Sequence, residues 1–583
     1  MRFVLLIFFC STLLFSQVTR YVDKMGNNTF PFTSWETAST SIQKVIDICE
    51  PWDTVLIGQG VFEENLNINS PLIVFGVDSD STIIRQPNLN PEPYFVVTST
   101  DSLILQNLSI VGLSGNDNGA ATIYDSYLFV DNINCLNFRR GIYISNSDAE
   151  IANSVISITD VSCINFQIAM NNIPNIFVSN NLLKTESGGG LRVWSQARIV
   201  FRNNIMLNSR FGSNLMYVDE SCPFIEIKNN MIISNFNGDI NIAYLADTLV
   251  IHNNSVITLE HTSHMGLNGI LAKNADVKNN ILTNRQWGIT GSFGSSYPTH
   301  ADYNLFYKVQ NIFQGNIIDG GHNIEANPMF VNADTSDVLL FDSHLQANSP
   351  AIDAGDPDIL DIDGSISDIG AFGGPGGETY AYTDLPPTIP KWLYITNVDS
   401  NFVIHWRGGD EADFSHFTVY GSDTPNYQNN EFTLIDTCST NFYQIPDSLL
   451  KLNMYFNISA TDVAGHKSEM SATVEYILVG LNPEVKISER YELMQNYPNP
   501  FNPETTLRYS IKEESRVKLR LYNIQGEKVA EIYSGIQSAG YHEVKFNSAK
   551  YNLASGIYLL TIHVSNDIGK PLFNSTRKLV LLK

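Results

Sequence analysis

The stretch that decides the fold is "IVFRNNIMLNS" at residues 199–209, where two asparagines interrupt an otherwise apolar, strand-like run. The same pattern recurs as "FIEIKNNMIIS" at 224–234, "LVIHNNSVIT" at 249–258 and "DVKNNILTN" at 276–284. A strand with alternating apolar residues precedes each asparagine pair, and a short apolar strand follows it. Asparagines that recur at the same place in strand-forming segments indicate a backbone feature that repeats along the chain.

The spacing of these amides predicts a solenoid. From the single asparagines Asn107, Asn132 and Asn153 through the first residue of each later pair, successive copies lie 21 to 27 residues apart. Such a period is typical of repeat architectures. A third strand, which often begins with Gly and Ile or Leu, completes many copies. Three short strands per coil predict an all-β fold, a right-handed parallel β-helix; the Leu-x-x-Leu-x-Leu frame of leucine-rich repeats is not found.

The repeated asparagines have a structural interpretation. A tight bend between strands needs a residue that tolerates left-handed backbone angles, and Asn tolerates them best after Gly. Stacked coils lie about 4.8 Å apart, so the side-chain amides can form a hydrogen-bonded ladder along the stack. The alternative is ordinary surface asparagines in loops. The many copies in register favour the ladder.

Composition and charge limit the class of protein. Charged residues make up only 16% of the 583 residues, and the net charge is −25. An acidic surface repels nucleic acid and anionic membranes, so we expect neither as a partner. The length predicts about three or four domains.

The first residues predict secretion. One Arg precedes a short apolar run that ends near Ser16, which is typical of a signal peptide over 1–16. A lipoprotein anchor at Cys10 is the alternative, but bulky residues 7–9 precede this cysteine. No later segment is long and apolar enough to predict a transmembrane helix.

Five cysteines remain after the signal peptide, an odd and scattered set without a C-x-x-C motif. Neither a zinc site nor a redox pair is indicated. We expect single buried thiols.

The solenoid begins with an expected cap. In "TSIQKVIDICEPWD" at 40–53, Thr40 and Gln43 predict a capping box for a short helix with one apolar face. With "DTVLIGQGVFEEN" at 53–65, this opening resembles that of secreted pectate-lyase-like β-helix proteins. The resemblance implies a β-helix domain over 17–380.

The segment "NSPAIDAGDPDILDIDGSISDIGAFGGPGG" at 348–377 resembles the closing segment of bacterial β-helices, and we expect it to close the far end. An Arg common before D-I-G-A in such segments is replaced here by Ser and Ile. Asp361, Asp363 and nearby Asp368 have spacing that suits a calcium loop, so calcium is the one cofactor considered. The alternative is an Asp-Gly turn network around Gly364.

Short strands at about ten-residue spacing follow and predict a β-sandwich. Trp406, Tyr420 and "YFNISATDVAG" at 455–465 resemble a fibronectin type III domain over 388–478. Such a domain is a spacer or a binding module.

The C-terminal segment has the most specific motifs. "YELMQNYPNPFNPETTLRYSI" at 491–511, "VKLRLYNIQGEKV" at 517–529 and "LASGIYLLTI" at 553–562 resemble the type A sorting domain of the type IX secretion system. The resemblance covers 491–583 and implies a second Ig-like sandwich. It also implies the type IX machinery as partner, and a secreted or outer-membrane-associated protein of a Gram-negative bacterium.

Relatives with this β-helix fold cleave acidic polysaccharides, but a fold alone does not establish activity. Arg192, with Lys184 and Arg210, could hold or deprotonate a uronate. Asp239 and Glu260 lie about one coil apart in the repeat and could form an acid/base pair, because neighbouring coils place carboxylates roughly 5–10 Å apart.

Trp194 and Trp287 are candidates for stacking on sugar rings. The alternative is that all these residues form a solvated surface. Three functions therefore stay open: a monomeric surface solenoid that binds polysaccharide or matrix glycan, a polysaccharide lyase or glycoside hydrolase acting on acidic glycan, and a non-catalytic adhesin or structural stalk.

Overall fold

The computed structural model describes residues 17–581 with internal gaps; the predicted signal peptide over 1–16 lies outside the described residues. The gaps are 88–94, 99–101, 114–118, 160–161, 168–172, 187–188, 195, 209–215, 236–239, 243, 293–295, 334–339, 399–400, 424–432, 451–452, 477–490, 495, 497–498, 500, 524, 538–539, 552 and 567–569.

The solenoid consists of three parallel sheets, and each coil contributes one strand to each sheet. For example, Arg198–Arg202 pairs in parallel with Asn175–Ser179 of the preceding coil and with Phe224–Lys228 of the following coil. The same register continues along the stack. The predicted parallel β-helix is confirmed.

The first sheet precedes the asparagine corner, the second follows it, and the third completes the coil. First-sheet strands are Thr19–Val22, Thr54–Ile57, Leu72–Gly76, Ala149–Ala152, Asn175–Ser179, Arg198–Arg202, Phe224–Lys228, Ala246–His252, Ala272–Lys278, Thr299–Asp302 and Ile317–Asp319. Second-sheet strands are Gly60–Glu63, Thr82–Arg85, Val155–Ile158, Leu182–Thr185, Ile205–Asn208, Met231–Ser234 and Ile324–Glu325. Third-sheet strands are Leu66–Ile68, Phe95–Thr98, Gly119–Tyr124, Arg140–Ser145, Ser162–Gln167, Gly189–Val193, Met216–Val218 and Ile240–Ile242.

Some strands bend around a corner and belong to two sheets. Ser102–Val111 and Tyr127–Phe138 join the first and second sheets; Ser255–Ile270, Ile281–Gly291 and Leu305–Gln314 join the second and third. Alternate residues of each strand enter the shared core. Ile199 and Phe201, for instance, are fully buried, as the two-residue period predicts.

The first asparagine of each pair makes the bend. Asn203, Asn229, Asn253 and Asn279 have φ between 52° and 57°, the left-handed region in which Asn is tolerated. The single asparagines of the earlier coils, such as Asn153 with φ 51°, share this conformation. The predicted left-handed corner is confirmed.

The second asparagine of each pair forms the buried ladder. The Nδ2 of Asn204 donates to Oδ1 of Asn230 at 3.1 Å, and Asn230, Asn254 and Asn280 repeat this bond at 2.9 Å. The ladder continues to Asn304, which follows a tyrosine rather than an asparagine. The predicted ladder of side-chain amides is confirmed for the second asparagine of each pair. In the earlier coils, the single asparagines Asn132 and Asn107 also bond to each other, at 2.9 Å.

The N-terminal helix spans Ile42–Ile46, and its apolar residues are buried against the first coils. The predicted capping box at Thr40 is wrong. Ser41 is the N-cap residue, and the carboxylate of Glu64 accepts hydrogen bonds from the backbone N–H groups of Ile42 and Gln43. A carboxylate from the neighbouring coil therefore satisfies the helix N-terminus.

The closing segment at 348–377 contacts the solenoid along the asparagine corner, and its closing of the far end stays a prediction. Its backbone runs back along the corner and accepts from the first asparagine of successive coils. Asn253 Nδ2 donates to Asp368 O at 3.0 Å, and Asn229 Nδ2 donates to Gly373 O at 2.6 Å. Asn203 Nδ2 donates to a carbonyl farther along the segment, that of Gly376.

Two β-sandwiches form the C-terminal unit. The first has a three-stranded sheet of Lys391–Val398, Asn401–Arg407 and Phe442–Gln444, and a four-stranded sheet of Thr433–Cys438, Phe414–Ser422, Met454–Asp462 and Val474–Tyr476. The second has a three-stranded sheet of Glu492–Leu493, Glu504–Ile511 and Gly540–Asn547, and a four-stranded sheet of Lys528–Gln537, Ser515–Tyr522, Gly556–Ser565 and Pro571–Leu581. A 3₁₀ turn spans Ser548–Tyr551, and two short strands, Phe330–Asn332 and Asp342–Leu345, precede the closing segment. The predicted all-β class with two sandwiches is confirmed.

The five cysteines of the described chain are free thiols, as predicted, but Cys49 and Cys438 are only partly buried. Cys135, Cys163 and Cys222 are buried in the solenoid core, where burial raises the pKa of each thiol. Thiols in such surroundings are inert structural residues.

Candidate functional site

The outward face of the third sheet carries a column of polar and aromatic side chains. In register on successive coils stand Tyr143, Asn165, Arg192, Tyr217 and Asn241. Neighbouring members are about 4.8 Å apart along the stack. The column therefore presents a continuous strip on which an extended polymer could lie.

Aromatic rings flank the arginine. Trp194 is 40% exposed, and its ring lies 5.7 Å from that of Tyr217 at an interplanar angle of 62°. In earlier coils, Tyr124 and Tyr143 form a second edge-to-face pair at 6.3 Å. The backbone N–H of Trp194 donates to the carbonyl of Phe166 at 2.8 Å, which fixes the position of the tryptophan just after its strand.

Hydrogen bonds orient the tyrosines. Tyr143 Oη donates to Gln167 Oε1 at 2.6 Å, and Tyr217 Oη donates to Asp219 Oδ1 at 3.1 Å. Burial and then Asp219 raise the pKa of Tyr217, while Arg192 acts in the opposite direction, so the guanidinium lies close enough to influence the phenol. The seven residues Tyr124, Tyr143, Gln167, Arg192, Trp194, Tyr217 and Asp219 are called the third-sheet face below.

The other predicted basic and aromatic residues lie elsewhere in the coils. Lys184 is on the second sheet, between Ser157 and Leu207 of neighbouring coils, and so belongs to a different sheet from Arg192. Trp287 is on the third sheet but in a later coil, and it is partly exposed. Of the predicted binding residues, only Arg192 and Trp194 are brought together among the residues that the structure describes.

Three predicted residues are not described in full. Arg210 and Asp239 lie outside the described residues, and Glu260 is described only as backbone in the strand Ser255–Ile270. The acid/base pair therefore stays a prediction.

The aspartates of the closing segment bind backbone donors. Asp361 accepts from the N–H of Asp368 at 3.1 Å, Asp363 accepts from Ser365 N at 3.0 Å, and Asp368 Oδ1 accepts from Asp353 N at 2.9 Å. Burial raises the pKa of Asp361, whereas the hydrogen bond from the N–H of Asp368 acts to lower this pKa. These contacts are those of a turn network.

Among the described residues, the acidic and histidine side chains whose ligand atoms converge within 4.8 Å are Asp384, Asp462 and His466. This group does not include Asp361, Asp363 or Asp368. Calcium at those three aspartates stays a prediction.

Tyr217 and Asp219 were missed in the candidate site. The number of residues between the second and third strands differs from coil to coil, so the register of Tyr217 and Asp219 with Arg192 could not be read from the repeat. Tyr124 and Gln167 were missed for the same reason. A signal did exist, because aromatic residues recur at the outward positions of the third strand in "GIYIS", "GLRVW" and "MYV".

Comparison with known proteins identifies the C-terminal segment. Residues 495–572 match the family model described as the secretion system C-terminal sorting domain. A sorting domain of this kind is an export signal, so the chain is a secreted or cell-surface protein. A search of curated proteins finds no match.

Several solved structures are similar to parts of the chain. One is a pectin methylesterase mutant in complex with hexasaccharide IV, with 13% identity over 34% of this chain and 82% of that chain and a TM-score of 0.25. Others are the chicken CNTN1 FN1–FN3 domains (12% identity, 36% and 73% covered, TM-score 0.15) and the chicken interferon gamma receptor alpha chain (11%, 34% and 100%, TM-score 0.13). At these TM-scores the likenesses carry no argument about function, and the fold assignment rests on the strand pairing above. Within the part of the chain that the structure describes, no helix has the length and apolar character needed to cross a membrane.

Proposed function

We propose that the protein is exported by the type IX secretion system and binds an acidic polysaccharide on the third-sheet face. The sorting-domain match supports the route of export. The observation that supports binding is the register of half-buried Arg192 with Tyr217, beside the 40% exposed Trp194.

The chemistry of the face suits a chain of uronate residues. An aromatic ring offers an apolar surface against which the C–H groups of a pyranose can pack. A guanidinium binds a carboxylate with two parallel hydrogen bonds. Tyr143, Gln167 and Asp219 add polar groups for sugar hydroxyls along the same strip.

The overall charge makes Arg192 important for the choice of ligand. The chain carries a net charge of −25, which opposes the approach of an acidic polymer. A local cation is therefore needed for such a ligand. Without Arg192, the remaining aromatic strip would suit neutral glycans instead.

The test is binding of the full secreted chain to polygalacturonate, alginate and chondroitin sulfate, measured by calorimetry. We expect one of them to bind, and Arg192→Gln and Trp194→Ala each to weaken binding about tenfold. Phe177→Ala is the matched control, because Phe177 is 44% exposed on the first sheet of the coil that carries Arg192. Equal affinities for all four proteins would reject the face.

The same incubations test the alternative functions. A new unsaturated uronate absorbance would identify a lyase, and new reducing ends would identify a hydrolase. Binding without product is the result that we expect. No binding and no product for any of the three polymers would favour a structural stalk.

A further inference from the structure

A pocket of about 370 Å³ lies where the closing segment leaves the asparagine corner. Its volume is within the range of small-molecule sites. We call it the corner pocket. Its lining includes Asn180, Asp342, His344, Phe372 and Glu378. All five belong to the solenoid unit, and none belongs to the third-sheet face.

His344 organises one wall of the corner pocket. Its Nδ1 lies 2.5 Å from Asp342 Oδ1, and its Nε2 lies 2.6 Å from Glu378 Oε1. The imidazole stacks on Phe372, with ring centroids 3.9 Å apart and planes 8° apart. The ring is therefore fixed on both edges and on one face.

The carboxylates of Asp342 and Glu378 can still accept hydrogen bonds from a ligand. Asp342 is 41% exposed and Glu378 is 57% exposed, and each carboxylate uses one oxygen toward His344. Since one imidazole carries at most one positive charge, at least one carboxylate charge stays uncompensated here. The pocket thus favours ligands that donate hydrogen bonds and carry no negative charge.

Asn180 contributes an amide to the lining of the corner pocket. Asn203 and Asn229, at the same corner position in the following coils, donate their Nδ2 groups to the closing segment. Asn180 has the same left-handed backbone, with φ 57°, but lies beyond the last of these contacts. Its exposed carboxamide makes no hydrogen bond to any residue that the structure describes. It is available to a ligand as both donor and acceptor.

We propose that the corner pocket binds one uncharged pyranose residue. Sugar hydroxyls would donate to Asp342 and Glu378 and pair with the Asn180 amide, and the Phe372 side chain would contact the apolar C–H groups. A uronate would bring a second negative charge toward the carboxylates. This site is independent of the proposed acidic-glycan face, which uses a cation.

The test uses the full chain and the methyl glycosides of glucose, galactose, mannose and xylose, with binding measured by saturation-transfer NMR and calorimetry. We expect at least one glycoside to bind, and methyl galactoside to bind more tightly than methyl galacturonide. Asn180→Gly should weaken binding about tenfold, because glycine keeps the left-handed backbone and removes only the amide. Glu378→Ala, at an exposed carboxylate, should have a similar effect.

Asn153→Gly is the matched control, because Asn153 has the same backbone conformation one coil earlier and its Nδ2 donates to Asp131 at 2.7 Å. It should leave glycoside binding unchanged. The proposal is overturned if no methyl glycoside binds at millimolar concentration, if the binding that Asn180→Gly weakens is tighter for galacturonide than for galactoside, or if Asn180→Gly and Glu378→Ala both bind like the unmodified protein. If only Arg192→Gln loses binding of polygalacturonate, the result bears on the third-sheet face and not on the corner pocket.

Discussion

The asparagine corner and the third-sheet face are built from the same coils, yet their side chains follow opposite rules. At the corner, an amide occupies the same position in coil after coil, and Asn204, Asn230 and Asn254 are fully buried. On the face, the outward residue changes at every coil, and Trp194 is 40% exposed. Repetition of a polar residue indicates a role in the fold, whereas variation in an otherwise regular stack indicates surface chemistry.

Physical chemistry explains the repetition. The Nδ2 of Asn230 donates to Phe201 O, Lys228 O and Asn254 Oδ1 at 2.9–3.0 Å. Its Oδ1 accepts from the backbone N–H and the Nδ2 of Asn204. A buried amide is unfavourable unless it is paired, and each coil pairs the amide of its neighbour. Replacing one member removes the acceptor of the asparagine on the preceding coil.

The largest expected effect comes from breaking the ladder. Asn230→Ala should lower the free energy of unfolding of the solenoid by about 3 kcal/mol, because it removes several bonds and leaves the backbone N–H of Asn204 without its acceptor. Calorimetry of the full chain, following the solenoid transition, measures this. A loss below about 0.5 kcal/mol, the size of a neutral surface substitution, would mean that the buried amides do not stabilise the stack.

Substituting the first asparagine of a pair should lower stability less, by an amount that depends on whether the new residue accepts the left-handed backbone. Asn229→Gly keeps the left-handed bend and loses only two bonds to the closing segment, at a cost of about 1–2 kcal/mol. Asn229→Ala should lower stability by about 1 kcal/mol more, because alanine resists positive φ. Thermal unfolding of both variants measures the difference, and an alanine variant as stable as the glycine variant would contradict the assigned role of the backbone.

Substitutions on the third-sheet face should weaken ligand binding with little effect on stability. Trp194→Ala removes an exposed ring, so stability should change by less than about 1 kcal/mol while affinity for acidic glycan falls about tenfold. Urea unfolding and calorimetric binding on one preparation give both quantities. A large loss of stability with unchanged affinity would assign Trp194 to the fold instead.

The smallest effect concerns the thiols. Burial, and then Asp53, raise the pKa of Cys49 to about 12, and burial raises that of Cys222 to about 11. Their thiols should therefore stay protonated at pH 8 and react slowly with a disulfide reagent until the chain unfolds. Reagent uptake by the native protein within minutes would show that these cysteines are reactive surface groups rather than part of the core.

The repeat made the solenoid predictable, because strand alternation and left-handed asparagines are local features. The different roles of Asn203 and Asn204 were not predictable, since they depend on which side chain faces the core. The path of the closing segment was also not predictable, because Asp368 meets Asn253 across 115 residues of chain. Local spacing carries no information about such a contact.

The candidate site was predicted only in part. Arg192 and Trp194 stand two residues apart at the end of one strand, so their proximity follows from sequence alone. Tyr217 and Asp219 join them through the register of the next coil, which the variable spacing between second and third strands conceals in the sequence. The corner pocket combines Asp342, His344 and Glu378 from outside the repeat, and no periodic pattern indicated it.

The most direct test of the ladder is a double-mutant cycle between Asn204 and Asn230, with unfolding of the solenoid measured in the full chain. Because each amide binds the other, the two alanine substitutions should be non-additive by at least about 1 kcal/mol. Asn204 and Asn280 lie three coils apart, and their substitutions should be additive. Additive losses for Asn204 and Asn230 would contradict the account, because they would show that the corner amides stabilise their own coils independently rather than joining one coil to the next.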